Sequence, residues 1–371
     1  MEPITRRVFL KRAISGIGGV TLARSFGPNM SLAQLNADMS RVVVVKHTQA
    51  TDGVRNINAA NVQVMMDESI KRFTGEATVG DTWASLLPDF KEDHIVAIKV
   101  NGVNSMLPTH PEVVDAIVTG LKTAGVPENN IIVYDIVKWC LLQSGYEYNM
   151  TDVGVRYLAT AKANYVDEDG WGADRDKPVD ILGRKIFLST ILTRCDHLIN
   201  VPVLKAHPQA VFTLSLKNHF GSLGSDPVLL HNNINLAIPT LNNQEAIKSK
   251  TRLIVIDALF GCWRGQVSAA DFVGNSLIVS RDPVAADYIG GEMISEERVR
   301  LNLGPRNMNF MLDKAAEMGL GTNDPEKMEL IRLELGPPEE EVEEKPEEEV
   351  GKSVDPTDSY KTQWGRIKTA H

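Results

Sequence analysis

Short apolar runs that alternate with amphipathic stretches constrain this chain more than any other feature. Arg41-Val-Val-Val-Val-Lys46, Ile95-Val-Ala-Ile-Lys-Val100 and Ile131-Ile-Val-Tyr-Asp135 read as strands, as do Ile186-Phe-Leu188 and His197-Leu-Ile-Asn-Val-Pro-Val203. Arg252-Leu-Ile-Val-Ile-Asp257 and Ser276-Leu-Ile-Val-Ser280 complete the set. Near-continuous apolar strands are those covered on both faces, which is the situation of parallel strands between helical layers. Between them, Pro111 opens a helix running to about Ala124 and stopped by Gly125. Its Val113, Val114, Ile117, Val118 and Leu121 share one face. Further helices are predicted over Gln209–Phe220, over Ile234–Lys248, after Asp282-Pro283, and over Asn307–Met318. The pattern predicts an α/β fold with a mostly parallel central sheet, helices on both faces, and a polar, turn-rich insertion or cover over Gln143–Leu182.

Both ends depart from this pattern. Thr5-Arg6-Arg7-Val8-Phe9-Leu10-Lys11, the mild apolar run Ala13–Ala23 and the small residues of Ser31-Leu32-Ala33 match a twin-arginine signal peptide. The expectation is therefore a signal over 1–33, recognition by the twin-arginine translocation machinery, and a periplasmic or other extracytoplasmic destination. Residues 34–336 form the α/β domain in this reading, as one body or as two lobes meeting near 140–185. At the other end, Glu339–Glu349 holds eight glutamates and one lysine, so most of the net charge of −9 resides there. Punctuated by Pro337, Pro338 and Pro346, the segment 337–371 reads as a disordered acidic tail, or as a docking element for a redox or assembly partner. No basic stripe with interleaved aromatics is present, which argues against nucleic-acid binding.

The chain has three cysteines, Cys140, Cys195 and Cys262, with no Cys-x-x-Cys spacing. An iron–sulfur cluster with four cysteine ligands from this chain is excluded by count. One disulfide is compatible with export, and the pairing is open.

In parallel α/β sheets ligands collect beyond the carboxyl ends of strands, so the residues there are the candidates for chemistry. They are Lys99, Asn101 and Asn104; Asp135; Lys205 and His207; and Asp257. The predicted helix 209–220 carries Lys217, Asn218 and His219, with Gln209, Thr213 and Lys217 forming one narrow polar line on an otherwise apolar surface. A lysine in that position must reach solvent or a fixed anion, because an unpaired buried ammonium is costly. Lys217, facing Lys205 and His207, is expected to hold a carboxylate or phosphate or to act as a tuned base. His207 and His219, with Asp135 or Asp257, are the candidate ligands of a mixed nitrogen–oxygen metal site. Gly221-Ser222-Leu223-Gly224-Ser225 is a weak anion-loop signal, since it follows a helix rather than a strand. Asp282 reads as a helix N-cap before Pro283, and Asp287 lies close to an apolar face.

Several of these blocks, taken in order, resemble the protein family called domain of unknown function 362. They are Asn200-Val-Pro-Val-Leu-Lys-Ala-His207, Leu216-Lys-Asn-His-Phe-Gly221, Leu253-Ile-Val-Ile-Asp257 and Asn275–Asp287, preceded by Ile98-Lys-Val-Asn101, Thr109-His-Pro-Glu112 and Ile131–Asp135. The resemblance covers roughly Arg41–Leu335 and implies a shared pocket built from Lys99, Asn101, Lys205, His207, Lys217, Asn218 and Asp257. Some relatives are fused to ferredoxin-type modules, which implies redox chemistry in that branch; this chain has no such module. Three functions follow as expectations. The first is an exported enzyme acting on a small anionic substrate, with Lys217, His207 and Asp257 catalytic and Lys99, Asn101, Lys205 and Asn218 binding. The second is a periplasmic ligand-binding or cofactor-maturation protein. The third is a subunit of a redox assembly.

Overall fold

The computed structural model describes residues 39–161, 171–307 and 309–337. The proposed signal over 1–33 and the acidic tail from 338 onward lie outside the described residues.

In chain order the elements are β1 (Ser40–His47), α1 (Ala59–Thr74), α2 (Val79–Ser85), β2 (Val96–Lys99), α3 (Pro111–Thr123), β3 (Ile131–Val137), α4 (Lys138–Gln143) and β4 (Arg156–Ala161). There follow β5 (Val179–Ile181), β6 (Arg184–Ile186), α5 (Thr190–Arg194), β7 (His197–Asn200), β8 (Val203–His207), β9 (Val211–Thr213) and α6 (Ser215–Asn218). The last are α7 (Ile234–Asn242), α8 (Glu245–Lys248), β10 (Thr251–Cys262), β11 (Phe272–Ser280), α9 (Pro283–Arg300), α10 (Asn309–Glu317) and β12 (Met328–Leu335). The main sheet runs β12-β1-β11-β10-β7-β2-β3-β4, with β8 continuing alongside β10 and β9 folded back on β8. Strands pair in parallel except at β1–β11, β10–β11 and β8–β9. The largely parallel α/β sheet read from the sequence is thus the architecture observed.

Alternation along each strand divides the core in two. Val43, Val45, Val96, Ile98, Ile131 and Val133 face a layer built from α1, α2 and α3, where Met65, Ile70, Trp83 and Ile117 are buried. Val42, Val44, Ala97, Ile132 and Tyr134 face the other layer, where Ile238, Val284, Ile289 and Met311 of α7, α9 and α10 are buried. Helices therefore cover both faces, and every central strand loses water on both sides.

The segment 209–220 is not the continuous helix expected. Residues Val211–Thr213 form β9, pairing His207 with Val211 and Lys205 with Thr213. Val211 takes φ +67, a left-handed conformation that a β-branched residue avoids and that no helix permits. Only Ser215–Asn218 is α-helical, followed by a 3₁₀ turn over His219–Ser222, and the carboxylate of Asp287 starts the helix by accepting from Ser215 N at 2.7 Å and Leu216 N at 3.1 Å. The single polar line through Gln209, Thr213 and Lys217 therefore does not exist as such. The predicted strand 197–203 is also divided, because Pro202 supplies no N–H to a ladder. Pro202 O instead accepts from Asp257 N, and β8 continues beside β10. The predicted helix 234–248 is two helices separated at Asn243-Gln244.

Part of the expected polar insertion belongs to the sheet: β4 pairs in parallel with β3. The hairpin β5–β6 supplies a small separate sheet. Asp282 caps α9 as read, accepting from Val284 N and Ala285 N. No helix among the described residues is long and apolar enough to cross a membrane.

Candidate functional site

A cavity of about 240 Å³ opens beyond the carboxyl ends of β2, β3 and β8, where the fold rule for parallel sheets puts a ligand. Its wall includes Lys99, Asn101, Asp135, Lys205, His207, Lys217 and Asn218. Six of the seven residues assigned to the pocket from the sequence thus converge, together with Asp135. Val103, Val228 and Val267, all exposed, stand at its edge.

Lys99 and Asp135 form its innermost charged element. The ammonium lies 2.8 Å from Asp135 Oδ1, and both side chains are about 1% exposed. Asp135 also accepts from Gly102 N at 2.7 Å and Ile136 N at 2.7 Å, so its carboxylate is fully engaged. Gly221 lies against the pair: a Cβ there would come within 2.4 Å of Lys99 Nζ and 2.7 Å of Asp135 Oδ1. Only a residue without a side chain fits, so this glycine is needed for packing and close approach.

Two further ammonium groups have no carboxylate of their own among the described residues. Lys205, about 1% exposed, donates to Leu107 O at 3.0 Å. Burial pushes it down to about 8, with Asp135 and more weakly Asp257 pulling the other way. Lys217 is partly buried, with its Nζ 3.7 Å from the centroid of the Phe220 ring. Burial, and then repulsion from Lys99, push it down to about 7. Among the described residues, three lysines therefore share one cavity with a single carboxylate that Lys99 already holds.

His207 accepts from Gln209 N at 3.1 Å and Ala210 N at 3.0 Å through Nδ1, so the ring is neutral with its proton on Nε2. Burial and the nearby Lys217, His231 and Lys205 push it down to about 3. At neutral pH it is a fixed hydrogen-bond donor.

The amides form a directional chain. Asn200 Nδ2 donates to Ser215 O at 2.9 Å, Asn218 Nδ2 donates to Asn200 Oδ1 at 2.7 Å, and Asn101 Nδ2 donates to Asn218 Oδ1 at 3.1 Å.

Asp257 is not on the cavity wall. Fully buried, it accepts from His110 N at 2.8 Å and lies 2.7 Å from His110 Nδ1, which ties the start of α3 to β10. Burial opposes a charge on His110, yet the attraction and hydrogen bond of Asp257 hold the imidazole above its ordinary value. His219 is also elsewhere: its ring contacts Asn200 Nδ2 and Ser222 Oγ and borders a separate cavity beneath α7 and α8. His207, His219 and Asp135 therefore do not converge as metal ligands, and no cluster of three potential ligands occurs among the described residues. Cys140, Cys195 and Cys262 are buried free thiols.

Sequence reasoning put Thr213 on a helical polar line and did not assign it to the pocket, yet it lines the cavity opposite Lys205 in the β8–β9 ladder. Its signal was the extended propensity of Val211-Phe212-Thr213. His231 at the mouth carried no local signal; a 3₁₀ helix over Pro227–Asn233 brings it there.

Comparison with known proteins gives a family and little else. No curated protein matches. A crystal structure of a Thermotoga maritima protein aligns with a TM-score of 0.35 and 11% identity, covering 59% of this chain and 58% of that one. The lactate racemase apoprotein from Thermoanaerobacterium thermosaccharolyticum aligns with a TM-score of 0.35 and 11% identity, covering 68% of this chain and 57% of that one. The chain thus spans under three fifths of either solved structure. A family model described as Domain of unknown function (DUF362) matches residues 96–292, a span that contains every residue lining the cavity, and the chain belongs to that family.

Proposed function

We propose that the protein is an enzyme acting on a small anionic molecule held in this cavity. The observation that carries the reading is the imbalance of charge: Lys99, Lys205 and Lys217 line one small space with Asp135 as the sole carboxylate among the described residues, and Asp135 is already paired. Desolvated ammonium groups without counter-ions are costly, and a bound carboxylate or phosphate offsets that cost. Lys205 fixes the anion from its buried position, and the Nε2–H of His207 orients it. Lys217, poised near neutrality, exchanges a proton with the ligand, because a base whose value lies close to the working pH is the most effective. The proton-moving role expected of His207 thereby passes to Lys217, while Asp257 positions the wall through His110. Export through the twin-arginine signal, proposed from residues 5–33, places this chemistry outside the cytoplasm.

The test uses the full chain and two readouts. Calorimetric titration with inorganic phosphate and with acetate, propionate and butyrate is expected to give saturable binding that Lys205→Met and Lys217→Met each weaken at least tenfold. Lys314→Met, at a surface pair with Glu317, leaves it unchanged. Solvent deuterium is then expected to enter the bound carboxylate beside its acid group, and to fail to do so in Lys217→Met. Absence of saturable binding overturns the reading. Binding without exchange for any probe replaces the enzyme with a ligand-binding protein.

A further inference from the structure

The amide chain behind the cavity has a direction, and that direction specifies a second feature of the ligand. Ser215 O is a carbonyl and can only accept, so the atom of Asn200 facing it must be the NH₂ group. Asn200 Oδ1 then faces Asn218, whose NH₂ donates to it and also lies 3.3 Å from another carbonyl, Lys99 O. Two backbone acceptors therefore fix both amides independently. Asn218 Oδ1 is left to accept, and it accepts from Asn101 Nδ2. Every orientation along the chain is determined, and its last atom, Asn101 Oδ1, is an acceptor with no partner among the described residues. Asn101 is about 6% exposed and lines the cavity. A second orphan lines the same space: Thr213 Oγ1, also buried and without a partner among the described residues.

A buried acceptor left unmade is expensive, and it persists in a binding site where a ligand completes it. The three lysines and His207 Nε2–H are donors, suited to an anion. Asn101 Oδ1 has the opposite requirement, for a group bearing a hydrogen. We infer that the ligand is bifunctional, an acid carrying a hydroxyl or amino group, and that Asn101 selects that group. The inference rests on the anion-binding reading of the cavity and narrows it from small anions to hydroxy- or amino-substituted ones. Thr213, able to donate and accept, is free to adapt to either.

The test compares probes that differ only in the donor. Glycolate is set against acetate, 3-hydroxypropionate against propionate, and 4-hydroxybutyrate against butyrate, so that the distance between acid and hydroxyl is scanned. Ethylphosphonate and 2-hydroxyethylphosphonate repeat the comparison for a phosphate-like head. In the unaltered protein at least one hydroxylated member is expected to bind roughly tenfold or more tightly than its parent, as a site built to bond a hydroxyl discriminates against the analogue lacking it. Asn101→Leu is expected to level that pair, whereas Lys217→Met weakens both members alike and preserves their ratio. The unaltered protein alone decides the matter if the leucine variant does not fold. Equal binding of every pair overturns this inference and leaves the anion cavity standing; no saturable binding of any probe removes both. A preference that survives Asn101→Leu in a folded variant also overturns the assignment to Asn101.

Discussion

Lys99, the last residue of β2, and Asp135, inside the adjacent parallel strand β3, meet at 2.8 Å with almost no exposure, so neither charge can be solvated if the other is lost. Asp135→Asn is expected to destabilise the protein by about 3–5 kcal/mol, the usual cost of leaving one partner of a buried pair alone. Lys99→Met combined with Asp135→Leu is expected to cost clearly less than the single change, since both desolvation penalties vanish together. Urea denaturation of the three proteins measures this. A double variant as unstable as the single one would show that the pair's surroundings, not its charges, set the cost.

Gly221→Ala introduces a methyl within 2.4 Å of the Lys99 ammonium. The lysine must move, and a loss of about 1–3 kcal/mol is expected from the overpacking. Displacing the ammonium also weakens phosphate or carboxylate binding, so thermal unfolding and anion titration are expected to change together. A variant with intact anion affinity would separate this glycine from the cavity.

Lys217 ties stability to pH in a definite sense. Its folded value of about 7 lies below the ordinary 10.5, so the folded state binds fewer protons than the unfolded chain between those limits. Stability therefore rises with pH through that window, and the full penalty is present below about 7. Lys217→Met is expected to be more stable than the unaltered protein at pH 6 by about 1–3 kcal/mol, after allowance for the partial exposure of the side chain. The gap narrows toward pH 10. Denaturant melts at several pH values test it, and a pH-independent gap would contradict it.

Asp287 is the anchor of the short helix bearing Lys217. Ser215 N, Ser215 Oγ and Leu216 N all donate to its buried carboxylate, at 2.7, 2.5 and 3.1 Å. Burial pushes this carboxyl up to about 7 even so. Asp287→Ala leaves those donors unpaired and is expected to cost about 2–4 kcal/mol, at about 1–3 for each buried unsatisfied group with some relaxation. Because Lys217 loses its mooring, anion affinity is expected to fall as well, although residue 287 does not line the cavity. Asp287→Asn, which retains one acceptor, is expected to fall between the two in both melting and titration experiments.

These residues show what the sequence makes legible. Lys99 was readable because an apolar run announces β2 and the lysine closes it, and Asp135 because it lies near the carboxyl end of β3, although that strand runs two residues further to Val137. The apolar composition of 209–220 suggests a helix, yet Val211-Phe212-Thr213 favours an extended chain, and the capping carboxylate lies 72 residues away in sequence. Asp257 misled for a related reason. It ends an apolar run in the sequence, yet β10 continues to Cys262, which places that carboxylate inside the strand facing His110. The helix α1 was overlooked although Val62, Met65, Met66, Ser69 and Ile70 recur at helical spacing and all are buried. The edge strand β12 was missed because it alternates rather than forming a continuous apolar run.

The break at Pro202 hands the chain from β7 to β8 along the same neighbour, β10, and β8 carries Lys205 and His207 to the cavity. Two donors of the wall are thus delivered past a residue that is itself outside that wall. A substitution at 202 that altered the main-chain path would shift both together, without touching either side chain.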